Sequence, residues 1–162
     1  NENICIFDPL KGQVIDDLGK LSVKKVLILE PGFKINTVKL RMRKDYYKCL
    51  SENRVLTSQA FKKLKYGIEN DHMESIRQAC ETSALANENI KITPYLRDLI
   101  EIARACDYSF LNISHTGSTV GIGLNAKTDI DRLEYEIRNS EISKVYKKQY
   151  IKNIIDGGLR RR

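Results

Sequence analysis

The sequence predicts an α+β fold, close to a split βαβ sandwich of the ferredoxin-like type with extra helices in its first crossover. Two observations support this fold class. Short apolar runs alternate with segments whose apolar residues recur every three or four positions, in the order strand, helices, strand pair, helix, strand. The 162 residues, of which 41% are hydrophobic, suffice for the core of one domain with or without an appended piece.

The chain opens with two short strands, over residues 3–7 and 13–19. Asp8 and Gly12 belong to a turn between them, so we expect a hairpin. Another strand follows at residues 25–30, and its four consecutive apolar residues predict burial on both faces of a sheet.

Residues 38–89 have helical spacing that is interrupted at Asn70-Asp71, where we predict a helix break and an N-cap. We interpret Asp71-His72 as a helix cap rather than as a pair of metal ligands. Apolar residues of the first helix are expected to line core-facing stripes; they are Tyr46, Leu50, Leu56, Phe61, Leu64 and Ile68. The second helix is expected to pack through Met73, Ile76, Ala79, Cys80 and Ala84.

A further helix is predicted to begin at Thr93, as the N-cap, with Pro94 at its first position. Its buried face is expected to consist of Leu96, Leu99, Ile100 and Ala103. Strands are then predicted over residues 108–113 and 120–124.

The last elements are a helix and a closing strand. Thr128 is predicted to cap the helix, which runs through Ile137, with Asp129 and Asp131 near the positive end of its dipole. The closing strand is expected within residues 144–155.

Several classes of protein are disfavoured by composition. Since no run reaches the roughly 18 to 20 apolar residues that cross a bilayer, we expect a soluble protein without a membrane partner. The widely spaced cysteines and two histidines do not form a metal-binding pattern, so we expect no metal site. In a reducing cytoplasm the thiols would be small buried hydrophobic groups; they are Cys5, Cys49, Cys80 and Cys106.

The net charge of +7 raises the question of a nucleic-acid partner. The basic residues are dispersed and most have acidic neighbours, which is typical of solvated helix faces. Without an arginine-rich helix, an aromatic-basic signature or a zinc finger, we expect no nucleic-acid binding.

The best lead to function is the run over residues 111–124, in which an apolar strand breaks into glycines and hydroxyls and then becomes apolar again. Backbone N–H groups of Gly117, Ser118 and Thr119 are candidates for an anion cradle, and a tight hairpin is the alternative. His115 at the start of the turn is a candidate general base or phosphate ligand, or a histidine packed at a hairpin end. Walker and dinucleotide-binding glycine motifs are absent.

Three segments in this order lead into the glycine run: residues 23–30, Lys34-Ile35-Asn36-Thr37 and residues 92–103. They resemble the C-terminal domain of the GHMP kinases, a superfamily that includes galactokinase, homoserine kinase and mevalonate kinase. Its third motif, a glycine-rich turn after such a helix and strand, is matched by residues 116–123. Residues 115–121 and 155–160 most resemble the L-threonine kinases of cobalamin biosynthesis, which are sometimes linked to propanediol utilisation.

The resemblance implies the C-terminal part of a cytoplasmic, ATP-dependent kinase that phosphorylates an alcohol, with the L-threonine hydroxyl as the expected acceptor. The family's phosphate loop, P-x-x-x-G-[LI]-x-S-S-[AS], does not occur here. ATP and Mg²⁺ would therefore be bound mostly by an N-terminal half, and this part is expected to be inactive alone. Residues 1–20 would be the end of that N-terminal domain, and residues 21–162 the C-terminal-like domain, with the boundary near Gly19-Lys20.

The resemblance also implies site residues, although it assigns none of them a catalytic role. Close to ATP and substrate it places the glycine turn, through Ser114, His115, Thr116, Gly117, Ser118, Thr119 and Gly121. It places Thr37 on the acceptor side, and the alternative role for Thr37 is a helix cap.

Two other functions stay open at this point. The first is a non-catalytic ferredoxin-like module that binds a ligand or a partner, which predicts no large apolar patch near the opening hairpin. The second is an RNA-binding α+β domain, suggested by the charge alone.

Overall fold

The computed structural model describes residues 4–8, 10–114 and 118–155. Over these ranges the chain is α+β, with two antiparallel sheets. The first sheet is the predicted opening hairpin, formed by β1 (Ile4–Asp8) and β2 (Gln13–Gly19).

The second sheet has four strands in the spatial order β4-β5-β3-β6, and every neighbouring pair is antiparallel. Its strands are β3 (Lys25–Glu30), β4 (Phe110–Ile113), β5 (Val120–Leu124) and β6 (Lys148–Asn153). The segment between β3 and β4 holds α1 (Thr37–Arg41), α2 (Tyr46–Glu69), α3 (Met73–Ala86), a 3₁₀ turn (Asn87–Asn89) and α4 (Leu96–Ala105). Between β5 and β6 lie α5 (Ile130–Arg138) and α6 (Ile142–Val145). The described elements follow the predicted order.

The main core lies between one face of this sheet and the helices α4 and α5. The sheet contributes Leu27, Leu29, Leu111, Val120, Ile122 and Leu124. The predicted buried face of α4 is confirmed, because Leu96, Leu99, Ile100 and Ala103 all belong to this core. Burial of such aliphatic side chains stabilises the fold by about 1.5–3 kcal/mol each.

Strand β3 differs from its prediction. Leu27 and Leu29 are fully buried, whereas Val26 and Ile28 are half-buried. Successive side chains of a strand point to opposite faces, and the main core covers the face that carries the two leucines. The prediction that both faces of β3 are buried is therefore wrong for the face that carries Val26 and Ile28.

The stripes predicted for α2 are wrong at three of the six positions, since Ile68 is buried and Tyr46 and Leu64 are half-buried. Leu50, Leu56 and Phe61 are each more than 40% exposed. The buried positions are mostly small: Cys49, Asn53, Ala60, Gly67 and Ile68. A Cβ on Gly67 would lie 2.7 Å from Ile76 Cγ1, so the glycine allows α2 and α3 to approach closely. The hydrophobic pattern did not predict this face, because two helices that pack closely have small side chains between them.

The predicted cap at Asp71-His72 is confirmed, and two other predicted caps are displaced. After the break at residues 70–71, His72 caps α3, and its ring accepts a hydrogen bond from Ser75 N. Tyr95, with φ 57°, precedes α4, whereas Thr93 lies further upstream and Pro94 lies outside the helix. Asp129 caps α5 by accepting from Arg132 N.

Thr128, predicted to be that cap, closes the preceding turn instead. Its Oγ1 accepts a hydrogen bond from Asn125 N at 2.9 Å and donates one to the Asp107 carbonyl at 3.0 Å. The dipole argument is confirmed for Asp131, which lies in the first turn of α5.

The opening hairpin is attached to the helical hairpin of α2 and α3 through one end. Leu18 packs against Ile68 and Ile76 in a second, smaller core cluster. Asp16 accepts a hydrogen bond from Lys65 Nζ at 2.6 Å. The turn between β1 and β2 is exposed to solvent, and the Leu10 side chain within it is 96% accessible.

The described residues contain no helix that is long and apolar enough to span a membrane. They also contain no cluster of three or more histidine, cysteine or acidic side chains that would hold a metal ion. Cys49 and Cys106 are buried as predicted, whereas Cys5 and Cys80 are half-buried.

Candidate functional site

The antiparallel register gathers four strand ends at one edge of the sheet. Glu30 at the end of β3 pairs with Lys148 at the start of β6, and Leu29 pairs with Val120 at the start of β5. Val120 in turn pairs with Ile113 at the end of β4. Loops that are distant in sequence therefore meet here, and we call this edge the turn end of the sheet.

The glycine run contains most of β4, the connection between β4 and β5, and β5 itself. The Ser114 N–H donates to the Thr119 carbonyl at 2.9 Å, which extends the hairpin beyond the strands. Ser118 is buried and Thr119 is half-buried at the turn end. His115, Thr116 and Gly117 lie outside the described residues, so their predicted roles stay predictions.

Gly121 lies within β5, opposite Asn112 of β4. A Cβ at this position would lie 2.6 Å from Asn112 Oδ1. A Cβ at Gly123 would collide with the ring of Phe110, the paired residue on β4. The Phe110 ring thus accounts for Gly123, whereas a Cβ at Gly121 would meet an exposed side chain that can move.

One cavity at the turn end, of about 510 Å³, is called the lysine cavity here. Its polar lining consists of Lys34, Lys147, Lys148, Ser118, Thr119 and Glu30. The Glu30 carboxylate accepts hydrogen bonds from Lys148 Nζ at 3.5 Å and from the Tyr150 hydroxyl at 3.3 Å. The excess of positive charge, together with two hydroxyls, suits an anionic ligand.

A second cavity, of about 300 Å³, is called the Thr37 cavity. Its polar lining consists of Thr37, Arg41, Tyr46, Asn87, Lys91 and Ser114. Two predicted residues, Thr37 and Ser114, therefore meet in one cavity although they are far apart in sequence. Apolar groups from four different parts of the chain complete it: Leu40, Leu50, Ile90 and Ile113.

Thr37 is the first residue of α1, and the structure assigns the capping role to its neighbour. Asn36 Oδ1 accepts a hydrogen bond from Lys39 N at 3.0 Å. The alternative interpretation of Thr37 as a helix cap is therefore wrong, and its side chain is placed in the cavity lining.

Lys91 connects the Thr37 cavity to the glycine run. Its Nζ donates to the Ser114 carbonyl at 3.0 Å. Burial lowers the pKa of Lys91, because removal of water destabilises the ammonium form. This half-buried cation is thereby held at the end of β4.

Sequence reasoning missed the cations of both cavities. Arg41, Lys147 and Lys148 belong to the basic groups that are predicted to be dispersed surface charge, and the sequence predicts no site role for Lys34 or Lys91. The available signal was the position of three of them beside strand ends, since antiparallel strands bring such ends together. Lys91 had no comparable signal, because it follows a 3₁₀ turn between helices.

Cavities also occur at the opposite end of the sheet. One of about 570 Å³ is lined by Lys24, Lys25, Asn125 and Thr128, among others. None of the predicted site residues that the structure describes lines it. We therefore take the turn end as the candidate site.

The arrangement at the turn end provides two chemically different compartments on one sheet edge. The lysine cavity can neutralise an extended anion, and the Thr37 cavity can hold a small molecule with polar and apolar parts. A phosphoryl transfer needs positioning of two reactants and neutralisation of phosphoryl charge more than it needs a covalent protein group.

The chain is similar to two curated L-threonine kinases. It is 24% identical to the L-threonine kinase of Salmonella typhimurium over 141 residues, which cover 83% of this chain and 45% of that protein. It is 22% identical to the L-threonine kinase of Citrobacter freundii over 101 residues, which cover 62% of this chain and 35% of that protein.

The chain thus spans less than half the length of these two relatives. No family model and no solved structure matches it. The similarity to the two named kinases confirms the resemblance drawn from the sequence and supports a distant relationship to the GHMP kinases.

Proposed function

We propose that this chain is the C-terminal part of a kinase that transfers the γ-phosphoryl group of ATP to the hydroxyl of L-threonine. The observation that carries the proposal is that both cavities are lined by residues of the glycine run, the lysine cavity by Ser118 and Thr119 and the Thr37 cavity by Ser114. The similarity to proteins named L-threonine kinase supports the choice of acceptor. By the same resemblance, we place the reaction in cobalamin biosynthesis in the cytoplasm.

The fold supports this proposal at the level of topology. The chain order of the four-stranded sheet and its helices is β-α-β-β-α-β, and its spatial order is β4-β5-β3-β6. We interpret residues 21–162 as the ferredoxin-like C-terminal domain of a GHMP kinase, with α1, α2 and α3 as insertions before α4.

In the proposed enzyme the lysine cavity faces the phosphates of ATP. Lys34, Lys147 and Lys148 would neutralise charge on the phosphates, and the hydroxyls of Ser118 and Thr119 would donate hydrogen bonds. By the resemblance, we assign the protein ligands of Mg²⁺ mainly to the N-terminal half, together with the phosphate loop that is not found in this chain.

The Thr37 cavity would hold the acceptor. Ser114, which follows β4 within the glycine run, lines this cavity. The lining combines hydroxyl, cationic and apolar groups. A small hydroxy amino acid presents the matching chemistry: an alcohol, a carboxylate and a short alkyl group.

The opening hairpin supports an interface with an N-terminal half. Phe7, Leu10, Val14 and Ile15 are each at least 48% exposed, and Phe7 and Val14 are paired across the two strands. Exposed apolar groups in this number favour burial by another domain over a self-contained ligand-binding module. We therefore assign residues 1–20 to the end of that domain.

The test is to express the full-length protein that contains this chain and to measure ATP-dependent phosphorylation of L-threonine, homoserine and mevalonate. The proposal predicts the highest kcat/KM for L-threonine. It also predicts that Ser118→Leu lowers kcat/KM by more than about tenfold, which is about 1.4 kcal/mol of transition-state stabilisation.

Ser140→Leu serves as a control for the bulk of the substitution, since Ser140 lies at the C-terminal end of α5 and lines neither cavity. Thermal unfolding of both variants separates a loss of folded protein from a loss of chemistry. A loss in Ser118→Leu below tenfold, or equal phosphorylation of all three alcohols, would contradict the assigned site or acceptor.

A further inference from the structure

We propose that Lys91 is a specificity-determining residue that binds the carboxylate of the acceptor in the Thr37 cavity. This inference deepens the proposed function and rests on it for the identity of the acceptor. It assigns a role to a residue that neither the glycine motif nor the spacing of apolar residues indicates.

The charge of the cavity lining supports an anionic group on the ligand. Among the described residues that line the Thr37 cavity, Lys91 and Arg41 are cationic and none is an aspartate or glutamate. A carboxylate entering this space would meet favourable charge, and an ammonium group would not. The cavity therefore distinguishes the two ends of an amino acid.

Burial makes Lys91 the stronger of the two cations for this role. Arg41 is exposed at the end of α1, where water screens its charge. Lys91 is half-buried, and burial lowers its pKa, so its ammonium form is poorly solvated. The ammonium group has three N–H donors, and a carboxylate in the cavity would accept a charge-assisted hydrogen bond from it.

The position of Lys91 also suits an anchoring role. The hydrogen bond from its Nζ to the Ser114 carbonyl, at 3.0 Å, holds the ammonium where β4 passes into the glycine run. An acceptor bound through its carboxylate at this point lies beside Ser114 and Thr37, two of the three hydroxyl residues of the cavity. Its short alkyl group can contact Ile90 and Ile113.

The experiment compares two acceptors and four forms of the full-length protein. The acceptors are L-threonine and L-threonine amide, which differ in the charge of the carboxyl group. The forms are wild type, Lys91→Met, Lys91→Arg and Lys39→Met, where the last removes an exposed cation from α1 that does not line the cavity. The readout is the ratio of kcat/KM for L-threonine to kcat/KM for the amide.

We expect Lys91→Met to lower this ratio by roughly 10- to 100-fold, the range for loss of a hydrogen bond to a charged group. Lys91→Arg should keep most of the preference, and Lys39→Met all of it. Because both acceptors are measured on the same preparation, partial unfolding of a variant cancels from the ratio. An unchanged ratio in Lys91→Met would overturn the inference.

Equilibrium binding separates this inference from the proposed function. If wild type phosphorylates neither acceptor, calorimetric titration with L-threonine and its amide replaces the kinetic ratio. Preferential binding of L-threonine that is lost in Lys91→Met would support the carboxylate site while the kinase proposal fails. Binding that is absent in wild type, or unchanged in Lys91→Met, would overturn the carboxylate site.

Discussion

The two ends of the four-stranded sheet both carry cavities lined by lysines, yet their polar groups are organised differently. At the turn end, Lys34 and Lys147 line a cavity together with the hydroxyl residues Ser118 and Thr119. At the opposite end, Lys24 and Lys25 line a cavity of similar volume. Positive charge alone therefore does not distinguish a functional edge from a structural one.

The difference lies in the groups around the lysines. At the opposite end, Asn125 Nδ2 donates to the Asp107 carbonyl and to Ser109 Oγ, both at 3.0 Å. Thr128 and Asn125 are also hydrogen-bonded to each other, which completes the turn before α5. These polar side chains are engaged in holding loops together.

A buried carboxylate gives a second example at the opposite end. Glu81 of α3 accepts hydrogen bonds from Arg104 Nε at 2.9 Å and from the Tyr108 hydroxyl. Glu81 and Tyr108 are almost completely buried, so this network joins α3, α4 and the approach to β4. Burial raises the pKa of Tyr108, and the hydrogen bond to Glu81 raises it further, so the phenol stays protonated as a donor. The comparison teaches that polar side chains at the opposite end join helices and loops, whereas at the turn end the hydrogen-bonded pair Glu30 and Lys148 lines the lysine cavity.

The largest expected effect is catalytic and belongs to the turn end. Replacement of both Lys34 and Lys147 by Met should lower kcat/KM for ATP by about 100-fold in the full-length protein, at about 1.4 kcal/mol for each lost cation. Steady-state kinetics at saturating L-threonine provide the measurement. Lys24→Met combined with Lys25→Met removes the same charge from the opposite end, and an equal loss there would erase the functional distinction.

A smaller effect, on stability, is expected at the opposite end. Glu81→Leu leaves the buried Tyr108 hydroxyl without its acceptor, which should destabilise the fold by about 2–3 kcal/mol. Thermal unfolding should show a decrease in Tm of about 5–10 °C. Exposed Glu101 of α4 provides the control, since Glu101→Leu should change stability by less than about 0.5 kcal/mol. If Glu81→Leu abolished phosphorylation without lowering Tm, this network would have to be counted with the site.

The smallest expected effect is a difference in stability between alanine variants at the two glycines of β5, Gly121 and Gly123. Gly123→Ala should cost roughly 1–3 kcal/mol, because its Cβ meets the half-buried Phe110 ring, which packs in the second core cluster. Gly121→Ala should cost less than about 1 kcal/mol, since the Asn112 side chain is exposed and can move away. Chemical denaturation of the two variants measures the difference. Equal losses in the free energy of unfolding would show that packing against the β4 side chains does not distinguish these two glycines.

The order of elements could be predicted because strand and helix periodicities are local properties of the sequence. The buried face of α4 followed from the same reasoning. The buried face of α2 did not, because it depends on small residues such as Ala60 and Gly67 that weigh little in an apolar pattern. Burial on this helix is decided by the close approach of α3, which is a tertiary property.

Some residues of the candidate site could likewise be predicted from the sequence, and others could not. Ser114, Ser118 and Thr119 belong to one sequence run, so their proximity at the turn end was predictable. Lys91 and Lys147 reach this edge only through the antiparallel register and the long segment between β3 and β4. No short motif encodes such a juxtaposition.

Hydrogen–deuterium exchange of the full-length protein, with and without a non-hydrolysable ATP analogue plus L-threonine, tests the functional difference between the two ends most directly. We predict slower exchange in peptides that cover residues 30–37 and 147–150, and unchanged exchange in peptides that cover residues 22–25 and 125–128. Protection confined to the second pair of peptides would contradict the assignment of the site to the turn end of the sheet.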